Sequence, residues 1–275
     1  MATVAGSLFE RERRPDQLSG TPRAHAIDRW IFVIQAVWFL AIVLTGFIPD
    51  SIMKVGLVEA GRRPPFPLVL HFHAVLMGTF LLLLLAQSAM MATGRCELHK
   101  RVGIAAFVLV PCLVVVGLIL VPTIYHGAWH AAQAAPADLR PKLQGRLLEL
   151  DNILLMQLRI GILFPLLIGI ALRARNGDVG IHKRMMFLAT AMPLPAAIQR
   201  MAWLPTTVPA SPLSIELYIL LAVSPLLVWD VVRNRRVHEA YWIWLGCWLP
   251  FAVLTDSLWG TAWWHATARA MMGVA

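Results

Sequence analysis

The chain is poor in charge: 14% of its 275 residues are Asp, Glu, Lys or Arg, against 59% hydrophobic residues and a mean hydropathy of +0.68. That balance excludes a soluble domain of ordinary composition. Cysteine is scarce too, with Cys96, Cys112 and Cys247 far apart and no CxxC pair. Such spacing excludes a disulfide framework and a zinc site, and leaves free, buried thiols as the expectation. No Gly-rich phosphate loop, nucleophile elbow or HExxH string occurs, so no motif identifies an enzyme. Alternating segments of about ten residues, the mark of a membrane barrel, are also missing.

What is present is a succession of about seven apolar runs, each near the roughly 20 residues a bilayer core requires. They predict an all-α fold, a polytopic transmembrane helical bundle, with helices over about 29–47, 68–93, 99–125, 152–172, 182–201, 213–232 and 239–263. Residues 1–28 read as a disordered cytosolic tail, 29–265 as the bundle and 266–275 as a short outer tail. The first apolar run has no small-residue cleavage site behind it and reads as a membrane helix, not a signal peptide. Prolines and cations over 51–67 argue for a loop there, and 127–148 reads as the longest loop. Pro193 and Pro195 predict a kinked fifth helix with freed carbonyls. The tryptophans of the last helix, including Trp242, Trp244, Trp248 and Trp263, read as an interfacial belt.

The net charge of +9 does not signal nucleic acid, because its cations are scattered through the interhelical loops. Fifteen Lys and Arg fall on the side of the N-terminus and eight on the other. By the positive-inside rule the N-terminus is cytosolic and the C-terminus outside, in a bacterial inner membrane. The bilayer is then the first partner, with subunits of a larger membrane complex or a redox partner as further candidates.

One string is repeated. His99-Lys100-Arg101 and His182-Lys183-Arg184 each stand where a polar loop ends and an apolar run begins. Helix, short loop with His-Lys-Arg, helix is thus the plan of helices two and three and again of four and five. That repetition predicts a four-helix core, helices two to five, of two similar hairpins. Were helices three and five neighbours, His99 and His182 would ligate one haem b iron axially, and Lys100, Arg101, Lys183 and Arg184 would suit its propionates. The plainer alternative is a positively charged membrane edge, with the cations reaching lipid phosphates.

His71 and His73 point about 200° apart on the second helix and cannot share one target. A second haem at His71 lacks a partner, since the fourth helix opens with Glu149, Leu150, Asp151 and Asn152. His126 and His130 are the available substitutes, or a transient outer-face metal site. Arg159 is the least decorative charge, deep in the fourth helix where an unpaired cation is costly. With Gln157 and Glu216, its expected ion partner, it outlines an outer-half polar pocket for an anionic or quinone-like substrate. These features support two readings: haem-based electron transfer or haem handling, or a non-enzymatic small transporter or accessory subunit.

The succession His71-Phe72-His73, Gln87, Gly94-Arg95, Leu98 to Gly103, His182 to Met186 and Arg200 resembles a group of bacterial multi-pass membrane proteins of unknown function with paired His-Lys-Arg helix starts. A weaker similarity is to the transmembrane di-haem cytochromes b that act as ferrireductases. It implies haem ligands at His71, His99 and His182, but Asp151-Asn152 stands where that pattern has a histidine.

Overall fold

Leu, Val, Ile and Ala fill the apolar runs, and a backbone without water around it must satisfy its own polar groups, which a helix does within one segment. The structure, a computed structural model, describes residues 16–18 and 25–274. Most of the tail expected over 1–28 lies outside the described residues. Ten helices and no strand occur among the described residues: α1 Ala26–Glu59, α2 Leu68–Ala92, α3 Cys96–Gly103, α4 Ala106–Gln133, α5 Arg140–Ala174, α6 Val179–Thr190, α7 Pro195–Ile198, α8 Leu213–Asn234, α9 Glu239–Leu258 and α10 Ala262–Met271. Five segments are long and apolar enough to cross a membrane: α1, α2, α3 with α4, α5 and α8. Outward-facing Val75, Leu82, Val108 and Leu118 are more than half exposed, an apolar exterior suited to lipid contact.

Helices run further than the sequence suggested. α1 passes through Pro49 to Glu59, since one proline removes a single ladder bond and lipid-embedded helices tolerate the loss. Lys54 and Asp50, one turn apart at 2.6 Å, pair within that extension. The loop expected over 127–148 shrinks to 134–139, because its alanines continue α4 and Pro141 sits in the first turn of α5, where proline lacks no needed donor. The expected kink at Pro193 is a full interruption between α6 and α7. The last helix stops at Leu258, turns through Gly260 at φ +72° and restarts as α10.

Helices α2, α4, α5 and α6 pack in succession, and α1 lies against α2, α7 and α8. Phe80 of α2 meets Phe164 of α5 edge-on at 5.4 Å, and Phe32 and Phe39 of α1 meet Phe187 of α6 at 5.6 and 6.2 Å. The core therefore includes α1 as well as the two hairpins. Gly46 allows this approach: a Cβ there would stand 2.2 Å from the Ala197 carbonyl oxygen. Gln35, 1% exposed, links α1 to α8, donating to Ala222 O at 2.8 Å and accepting from Leu226 N at 3.1 Å beside Pro225.

Candidate functional site

The two His-Lys-Arg copies lie at the same end of the bundle, one on α3 and one on α6. His99 and His182 are close enough for the charge of one to act on the other. Each ring is held from the preceding long helix. His182 Nδ1 stands 2.8 Å from Ala171 O, so it carries the proton and leaves Nε2 bare. His99 Nδ1 is 3.3 Å from Gln87 O, but the Gln87 carboxamide is the nearer partner. With its nitrogen toward His99, that amide donates to Nδ1 at 2.6 Å while its oxygen accepts from Gly103 N at 3.1 Å. His99 Nδ1 is then an acceptor and its proton sits on Nε2. The two copies share a backbone plan and hold opposite tautomers.

Their cations also differ. Lys100 is exposed and pairs with Glu97 at 2.9 Å, and Arg101 is exposed. Arg184 is fully buried against Asp230, itself 0% exposed, donating from Nε to Oδ2 and from Nη2 to Oδ1 at 2.8 Å. Its two terminal nitrogens also reach Asp16 at 2.8 and 3.0 Å, and Nη1 donates to Gly180 O. Lys183 pairs with Asp16 at 2.6 Å and donates to Leu18 O. Asn234 donates to Asp230 at 2.6 Å and to Asp16 at 3.3 Å. Two guanidinium-carboxylate forks thus fasten residues 16–18 onto α6 and α8. Arg184 and Lys183 are engaged in this clamp, and His99 presents a proton where a metal needs a lone pair. As they stand, these groups do not fit a bis-histidine haem.

His71 is exposed beside the Phe66 ring. His126 and His130 have ring centres 6.2 Å apart, and no group of three or more metal-ligating side chains occurs among the described residues. The three cysteines are free, but Cys112 is exposed and Cys96 and Cys247 half-buried, not enclosed.

The polar pocket is better defined. Arg159 Nη1 donates to Glu216 Oε1 at 2.6 Å, with the two side chains 2% and 9% exposed. The pairing expected from sequence is the one observed. Gln157, half-buried and two residues before Arg159, faces elsewhere on the helix. Instead Gln199, at the end of the interrupted helix, places Nε2 3.4 Å from Met156 Sδ, one turn from Arg159. Trp244 and Trp248, one turn apart on α9, stack at 5.2 Å with planes 7° apart. Both are 4% exposed, so they belong to the core and not to an interfacial belt. Trp248 lies beside Glu216. Arg159 Nη2, Glu216 Oε2 and the two indole nitrogens have no hydrogen-bond partner among the described residues. The pair itself can offer one donor, Arg159 Nη2, and one acceptor, Glu216 Oε2, to a bound group.

A third cluster went unread in the sequence. Asp151, 0% exposed, accepts from Tyr125 OH at 2.5 Å and faces His265 Nδ1 at 3.0 Å and Arg269 Nε at 3.5 Å. Its backbone carbonyl accepts from Trp264 Nε1 at 2.7 Å. The available signal was an acid at the mouth of an apolar run, and the same holds for Asp230 in α8. No family model, no curated protein and no solved structure matches the chain.

Proposed function

We propose that this is a multi-pass membrane carrier that binds a small solute at the Arg159–Glu216 pair. The observation that supports it is the open valence of that pair: one guanidinium nitrogen and one carboxylate oxygen, buried and unpartnered among the described residues. A buried ion pair costs several kcal/mol in desolvation, and leaving its polar atoms unsatisfied adds about 1–3 kcal/mol each. A solute with an acceptor next to a donor would complete both, and a carboxylic acid is the simplest. Gln199, the C-cap of the short α7 that follows the interruption, reaches Met156 one turn from Arg159, and interrupted helices beside buried charges are how membrane carriers build such sites. The seven passes of the sequence reading, with the N-terminus cytosolic, belong to this proposal.

Proteoliposome uptake of labelled short monocarboxylic acids, measured at mildly acidic pH where the protonated form is populated, tests it. Saturable uptake that disappears in the Arg159→Leu, Glu216→Leu double variant is expected. Uptake no faster than in protein-free vesicles, across the panel, would sink the reading and favour an accessory subunit, which native mass spectrometry would show with its partner.

Haem b between His99 and His182, for electron transfer or haem handling, is the second reading. The nearness of the two rings and the bare Nε2 of His182 support it; it requires the Gln87 carboxamide to turn away so that the His99 proton moves to Nδ1, facing Gln87 O, and frees Nε2. The absorbance spectrum of purified, haem-supplemented protein decides it: a Soret band lost in His182→Ala is required.

A further inference from the structure

At the end of the bundle opposite the His-Lys-Arg copies, a cavity of about 350 Å³ opens between α4, α5 and α10. It is lined by Trp129, Gln133, Gln144, Leu147, Leu148 and Arg269. One cation, two carboxamides and three apolar side chains face it, and its lining contains no acid.

Arg269 is placed there by the Asp151 cluster. Trp264 and Ala268 bury against Leu154 and Leu155 of α5, fixing α10 on that helix. Asp151 is the hub, but Tyr125 and His265 take its close contacts, and Arg269 Nε is left 3.5 Å away. That distance is electrostatic contact without a hydrogen bond. Arg269 Nε is buried and has no hydrogen-bond partner among the described residues, while the side chain as a whole is 35% exposed. The carboxylate therefore orients the guanidinium, and the half-exposed side chain forms part of the cavity wall. A cationic fork next to two amides, backed by indole and leucine, is complementary to an oxyanion that carries an apolar body. The position suits such a group: Arg140 and Lys142 begin α5 nearby, at the edge where an apolar helix meets a head-group layer.

We propose that this cavity binds the phosphate or carboxylate head of an amphiphile, with Arg269 as its anchor and Gln144 as a second donor. The site is separate from Arg159, about three to four turns further along α5, and does not depend on the carrier reading.

The test is native mass spectrometry of the full chain released from nanodiscs of mixed phosphatidylcholine and phosphatidylglycerol, with inorganic phosphate titrated in a second arm. Selective retention of phosphatidylglycerol by the wild type is expected, with retention falling about tenfold in Arg269→Gln, the scale of one charge-assisted contact. Gln144→Leu, which leaves the Asp151 hub intact, should weaken retention too and keeps the test valid should Arg269→Gln fold poorly. Competition by inorganic phosphate would identify the oxyanion as the recognised part and a soluble source as sufficient; its failure to compete, with lipid retained, would assign the lipid itself. Equal retention of the two lipids by wild type and both variants, with no effect of phosphate, would overturn the proposal.

Discussion

Asp16 and Arg184, separated by 168 residues, face each other with both carboxylate oxygens on both terminal guanidinium nitrogens, at 2.8 and 3.0 Å. Through this fork a segment that sequence alone assigns to a solvated tail becomes part of the bundle. Arg184 simultaneously holds Asp230, so one cation neutralises two carboxylates. Arg184→Ala should therefore cost about 3–5 kcal/mol, because it strands a buried Asp230. Asp16→Ala, at the half-buried end, should cost less and expose the N-terminal segment to protease. Thermal denaturation and limited proteolysis of both variants check this; equal losses in the two would contradict it.

Two groups outside the spans make stability depend on pH. Arg184 and Lys183 hold the Asp16 carboxyl well below the usual carboxylate range, against the opposing push of burial. Its contribution is complete above about pH 4 and is lost as the pH falls below that. His238, the N-cap of α9, accepts from Ala240 N through Nδ1 at 3.2 Å, which requires the neutral ring. Burial, then the neighbouring Arg184, pushes its pKa down to about 4, while Asp230, Asp16 and Asp178 oppose the shift. The folded form binds fewer protons than the unfolded between about 6.5 and about 4, so stability should fall as the pH drops through that window. Melting curves of His238→Asn should track the wild type above the window and lose the decline within it.

Gly46→Ala should displace α7 from α1, since the new methyl would meet the Ala197 carbonyl oxygen at 2.2 Å. Overpacking against backbone costs on the order of 1–3 kcal/mol or more. Gly78→Ala, with nothing within 4 Å, is the control and should be neutral. A Gly46→Ala melting temperature matching the control would show that the helices separate freely there.

Arg159→Leu alone should destabilise by about 3–5 kcal/mol, because Glu216 is left buried without its cation. Adding Glu216→Leu should recover most of the loss, since a matched apolar pair replaces the ion pair without stranding a charge. A double-mutant cycle in denaturant or heat measures this; additive losses would mean the two residues act independently.

The helical class and the run of apolar segments were legible because hydropathy over about 20 residues is a local property. The Arg159–Glu216 pair was also legible, since a charge deep in an apolar run has few partners at its depth. The boundaries were not: Pro49 and the alanines of 127–133 look like loop signals, yet the long apolar helices α1 and α4 run through both.

The repeated His-Lys-Arg string carries the clearest division between the two levels. Sequence determined that two such strings begin helices at one end of the bundle, and spacing alone makes them look equivalent. Tertiary structure decided otherwise, because what surrounds each copy comes from distant segments: Gln87 against Ala171 for the imidazole protons, Glu97 against Asp16 and Asp230 for the cations. Hydrophobic period fixes which stretches enter the membrane. Which charges meet there depends on contacts across more than a hundred residues, and no local pattern encodes them.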